Sequence, residues 1–97
     1  MERVTIDLAN VETKDSVHVV LKSSMNLPEY YGGNLDALYD ILTSSYIKKR
    51  VEFTIIGTDK VPDNLKSYIQ GVLSVFKDAQ DKMNHKSDSS LMLIQIR

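Results

Sequence analysis

The sequence predicts an α/β fold in which helices pack on a small three-stranded parallel sheet. Three observations predict it. Strand-like segments near residues 3–8, 51–56 and 91–96 alternate with longer stretches of helical periodicity, in the order βααβαβ. The last segment contains the unbroken apolar run Leu91-Met92-Leu93-Ile94, which suggests a strand buried on both faces, as in the centre of a parallel sheet. The chain has 97 residues, 42% of them hydrophobic and 26% charged, which is the composition of a single globular domain spanning residues 1–97. That length lies near the lower edge of comfortable single-core folding.

The elements follow in chain order. Val4, Ile6 and Leu8 alternate with polar Thr5 and Asp7, giving the first strand. Thr13 or Asp15 can cap a helix whose inward side is Val17, Val20, Leu21 and Met25, with His18 expected at the surface or boundary. Pro28 and Gly32-Gly33 then enforce a loop. Asn34 is a good N-cap for a second helix running to about Ser45, and Asp36 in its first turn complements the helix dipole. Val51 to Ile56 forms the second strand, ended by Gly57. Pro62-Asp63-Asn64 opens a long helical pattern that turns Leu65, Ile69, Val72, Leu73, Phe76 and Ala79 inward. Gly71 disfavours that helix by about 1 kcal/mol relative to alanine, so a kink or break is expected near it. Asn84 to Ser89 reads as a polar loop before the final strand.

Composition excludes several function classes. There is no cysteine, hence no disulfide framework, zinc-thiolate site or thiol nucleophile. Met1-Glu2-Arg3-Val4-Thr5 lacks a secretory pattern, and the longest apolar run falls far short of the roughly 20 residues that span a bilayer. A cytoplasmic location, no membrane role and a chain that is monomeric alone are therefore expected. His18 and His85 show no metal-ligand spacing, and Gly32-Gly33 lacks the further glycines and lysine of a phosphate loop. No metal or cofactor is expected. Lys48-Lys49-Arg50 is an isolated basic triplet that reads as a strand flank, not as a nucleic-acid site.

The net charge is −1, so electrostatic steering has to come from local asymmetry. Such asymmetry exists. From Ser23 to Ile47 the chain carries Glu29, Asp36 and Asp40 and no lysine or arginine. At 100° per residue the second helix places Leu35, Leu38, Ile41 and Leu42 on one side and Asp36, Tyr39, Asp40 and Thr43 on the other. Two aspartates at i, i+4 repel by about 0.2–0.5 kcal/mol, and aspartate is a poor helix former. A face needing only solubility more usually carries Glu and Lys, although a merely solvated face is the competing interpretation. Tyr30 and Tyr31 can each plug the core or lie exposed as an interface anchor. A third possibility is catalysis by a paired Asp36–Asp40 carboxylate site, but no desolvated cleft is evident to split their ionisation, so an enzyme is not expected.

The run Leu27-Pro28-Glu29-Tyr30-Tyr31-Gly32-Gly33-Asn34-Leu35-Asp36-Ala37-Leu38-Tyr39-Asp40-Ile41-Leu42 closely resembles the barstar family of intracellular inhibitors of the ribonuclease barnase. Val72 to Ala79 is similar to the last helix of that family, and the element order matches over nearly the whole chain. The resemblance implies the barstar-like fold and an inhibitor, or immunity protein, that plugs the active site of a secreted basic ribonuclease. It implies that Tyr30, Asp36, Tyr39, Asp40, Thr43 and Asp78 bind that partner, with Asp40 the dominant carboxylate. Tyr39 stands where the family has tryptophan, Asp78 where it has glutamate, Gly33 where it has glutamate, and Ser44-Ser45 where it has a Gly-Trp pair. These departures bear on which ribonuclease is the target. The alternative is a barstar-fold adaptor or regulator that binds another basic protein.

Overall fold

The computed structural model describes residues 1–85 and 90–97. Strands β1 (Glu2–Asp7), β2 (Arg50–Ile56) and β3 (Leu91–Ile96) form one sheet in the order β1-β2-β3. Both pairings are parallel, with Val4 opposite Phe53 and Phe53 opposite Ile94. Helices α1 (Lys14–Met25) and α2 (Leu35–Leu42) connect β1 to β2, and α3 (Lys66–Asn84) connects β2 to β3. No helix among the described residues is long and apolar enough to cross a membrane.

The helix starts follow local chemistry. Thr13 caps α1: its hydroxyl accepts from Ser16 N at 3.0 Å while Ser16 Oγ accepts from Thr13 N at 2.9 Å, a reciprocal capping box. Asn34 caps α2 by accepting from Ala37 N at 2.7 Å. The predicted end of α2 does not hold, because the helix stops at Leu42 and not near Ser45. Hydroxyls intercept its last carbonyls there, Thr43 donating to Tyr39 O at 2.9 Å and Ser44 to Ile41 O at 2.7 Å.

The expected break at Gly71 is absent, and α3 runs continuously from Lys66 to Asn84. Gly71 serves packing instead. A Cβ there would lie 3.1 Å from Leu35 Cδ1, so the missing side chain lets α2 press close against α3. The inward stripe of α3 is buried as predicted, with Met83 added to it, and Phe76 meets Phe53 of β2 edge-to-face at 5.2 Å.

β3 is also not the doubly buried central strand its apolar run suggested. It forms an edge; Met92 is buried, while Leu91, Leu93 and Ile94 are half-buried. The reason is that only one face of the sheet is covered. Val51, Phe53 and Ile55 point into the core, while the opposite face carries an Arg3–Glu52 ion pair at 3.5 Å and a Gln95–Glu52 hydrogen bond at 3.4 Å. Side chains from α3 satisfy the backbone of this edge: Asn84 Oδ1 accepts from Met92 N at 2.7 Å, and Gln80 and Asn84 donate to Met92 O. Of the polar loop expected over Asn84–Ser89, Asn84 ends α3, His85 caps it, and residues 86–89 lie outside the described residues.

Candidate functional site

The loop between α1 and α2 is shaped by three backbone constraints. Asn26 takes the left-handed conformation (φ 52°) and closes α1. Tyr31 N then donates to Pro28 O at 3.0 Å, and Gly33 takes φ 67°, a conformation open to glycine at little strain. These turns leave the adjacent tyrosines unequally exposed. Tyr30 is 79% exposed, whereas Tyr31 is half-buried against the core.

An open cleft of about 610 Å³ lies between this loop and the C-terminal half of α2, lined chiefly by Tyr30, Tyr31, Asp40, Ile41, Ser44 and Tyr46. Tyr30 on the loop and Asp40 on α2 thus share one concavity. Asp36 is exposed one turn before Asp40, and Asp78 is exposed on α3. Among the described residues none of these three aspartates forms an ion pair. The predicted polar face of α2 is less uniformly exposed than its periodicity suggested. Tyr39 is half-buried against the core, and Thr43 is half-buried with its hydroxyl committed to Tyr39 O.

Two lysines dilute the acidic character of this region. Lys22 Nζ pairs with Glu29 at 3.2 Å, and Lys82 Nζ lies 5.9 Å from the centre of the Tyr39 ring. Lys82 follows Asp78 by one helical turn, so its contact with Tyr39 brings the exposed face of α3 beside that of α2.

The group the sequence did not reveal is centred on His18. Expected at the surface or boundary, it is only 6% exposed and lies between Tyr31 and Tyr68. Its Nδ1 is 2.6 Å from the Tyr31 hydroxyl and its Nε2 is 2.6 Å from the Tyr68 hydroxyl. Burial lowers the His18 pKa below the ordinary 6.5, with nearby Asp15 opposing in part. Burial likewise pushes Tyr31 up to about 12 and raises Tyr68, so both hydroxyls keep their protons at neutral pH. One signal for this group existed in the sequence: His18 sits beside Val17 and three residues before Leu21, within the inward arc of α1. Ser44, which lines the cleft, was marked in the sequence only as a departure from the resembled family, and Tyr46 had no signal.

Comparison with known proteins gives a family and a relative. A family model described as barstar (barnase inhibitor) matches residues 1–95. A Bacillus subtilis (strain 168) protein named "Putative ribonuclease inhibitor YrdF" is 34% identical over 91 residues, which are 86% of this chain and 90% of that protein.

Proposed function

The chain belongs to the barstar family, and on that footing we propose that it inhibits a secreted basic ribonuclease by occluding its active site. The observation that carries the proposal is the cleft in which exposed Tyr30 faces the C-terminal half of α2 and its unpaired Asp40. A carboxylate in such a concavity can enter a cationic pocket and replace its lost water with charge-assisted hydrogen bonds. Tyr30 offers a large contact area at little entropic cost. Asp36, Tyr39, Thr43 and Asp78 complete the proposed partner-binding surface around Asp40. Inhibition on this reading is steric and electrostatic, with no catalysis, metal or cofactor. The chain acts as a cytoplasmic monomer that protects its host from the exported enzyme.

The test is an RNA-cleavage assay with barnase, titrated with the purified chain. Inhibition that saturates near one equivalent is expected, and its loss in Asp40→Ala. Undiminished cleavage at large excess would leave the barnase target without support. A neighbouring reading frame for a secreted basic ribonuclease would then supply the enzyme to try. The adaptor reading keeps the same acidic surface and differs only in the basic protein it meets. It predicts capture of a basic protein that has no ribonuclease activity.

A further inference from the structure

Tyr31 lines the same cleft as Tyr30 but is half-buried, and its hydroxyl is held by a short contact to His18. The Tyr31–His18–Tyr68 group joins three segments: the loop that carries Tyr30, helix α1, and helix α3. A neutral imidazole has one N–H and one bare nitrogen. Both are satisfied when one tyrosine donates its O–H to the bare nitrogen and the other accepts from the N–H. The two 2.6 Å contacts fit that arrangement and leave no buried side-chain nitrogen or oxygen of the described residues unpaired.

We propose that His18 is a positioning residue of the partner-binding surface: through the two tyrosine hydroxyls it locks the Pro28–Gly33 loop, and with it Tyr30, against α1 and α3. Other restraints act at the start of the loop and within its backbone: the Tyr46 hydroxyl donates to Asn26 O at 2.5 Å and Tyr31 N to Pro28 O at 3.0 Å, but neither ties the loop to α3. Lys22–Glu29 is an ion pair whose carboxylate is almost wholly exposed, a kind that holds little. Gly32 and Gly33 add no side-chain packing of their own. Because Tyr30 is joined directly to Tyr31, holding the Tyr31 ring also restrains the backbone that carries Tyr30.

The groups around His18 suit a neutral ring. Lys14, Asp15 and Lys22 are on its own helix, Tyr31 and Glu29 come from the loop, and Tyr68 comes from α3 with Lys14 Nζ 5.0 Å from its ring centre. Only Asp15 favours the imidazolium by charge, against the effect of burial. A second ring proton would also make both hydroxyls acceptors, and the O–H that had been donating would have to find another partner.

What the loop presents Tyr30 to rests on the inhibitor reading, but the lock itself is testable in the isolated protein. Tyr68→Phe removes the far hydroxyl, keeps the ring, and lies outside the loop. Hydrogen exchange followed by NMR should show the Tyr31 amide exchanging about tenfold faster in this variant, with the Phe53 and Ile55 amides of β2 unchanged. Equal exchange in the loop, or equal acceleration in loop and sheet, would overturn the proposal, the latter because it marks a general loss of stability. Should Tyr68→Phe fail to fold, ring-nitrogen NMR of the unaltered chain decides. A single fixed neutral tautomer for His18 is expected, and two tautomers averaging as in free imidazole would overturn the lock. With barnase as the probe, Tyr68→Phe should also bind several-fold more weakly. Unweakened binding despite a loosened loop overturns the positioning role. If barnase does not bind the unaltered chain, that counts against the inhibitor reading, and the exchange result still judges the lock.

Discussion

At the scale of single residues, Asp40 and His18 differ in what they risk. Asp40 is exposed, without an ion pair among the described residues, and one turn from Asp36. Alanine there relieves an i, i+4 repulsion and is the better helix former, so the melting temperature should hold or rise slightly. Binding to a basic ribonuclease should weaken by about 2–5 kcal/mol, mostly through faster dissociation, because the partner's donors are left desolvated. The barnase–barstar pair is itself a reference system for that range, so calorimetry on this chain measures whether the family's magnitude carries over. A melting temperature that collapses in Asp40→Ala would make the residue structural. His18 is the opposite case, and its lowered pKa sets a sign. As pH falls through about 6.5 the unfolded chain takes up a proton that the folded ring resists, so stability is full above that value and lost below it. The slope from this one group is at most about 1.4 kcal/mol per pH unit. At the alkaline end the raised Tyr31 and Tyr68 values act in reverse, and stability falls as pH rises from 10 toward about 12. Urea midpoints should therefore form a plateau between these limits, and His18→Gln should remove the part of the acid-side fall that sets in below about pH 6.5.

At the scale of elements, the contact between α2 and α3 controls where the acidic face sits. Gly71 admits Leu35, and Leu35 directly precedes Asp36. Alanine at position 71 gains up to about 1 kcal/mol of helix propensity, set against a 3.1 Å approach to the end of a flexible leucine side chain that is only half-buried. Gly71→Ala should thus raise stability by less than the full propensity gain. Gly71→Val adds methyl groups that one leucine cannot evade, and should lower stability by about 1–3 kcal/mol. Denaturant unfolding of both variants checks the pair. A stabilised valine variant would show that α2 and α3 do not meet closely at Gly71. The same comparison explains why the expected break in α3 does not occur: a local preference of about 1 kcal/mol is outweighed by the packing of two helices.

At the scale of the whole molecule, a net charge of −1 gives almost no long-range field. The molecule is 39 × 28 × 19 Å, and the Debye length at 0.1 M salt is about 10 Å, so a partner approaching one face is screened from charges on the other. Association with a basic ribonuclease should be fast at low salt and slow as ionic strength rises through about 0.1 M. Asp36→Ala should reduce the on-rate and flatten its salt dependence in stopped-flow mixing. An on-rate indifferent to salt would favour an apolar interface with a different partner.

The element order, the parallel α/β class, the cap at Asn34 and the candidate run from Tyr30 to Thr43 were legible in the sequence, and the cap of α1 was narrowed there to Thr13 or Asp15. The caps and helix faces depend on residues within about four positions of one another, where propensity, capping and periodicity act, and the parallel class follows from the order in which such elements alternate. Tertiary structure decided the rest. It showed which of two adjacent tyrosines is exposed, that Gly71 is a contact and not a break, and that β3 is an edge strand. It also placed His18 between tyrosines 13 and 50 residues away. Hydrophobic periodicity shows that a residue faces inward but not what it meets there, because the partners are brought together only when loops close and helices dock on the sheet.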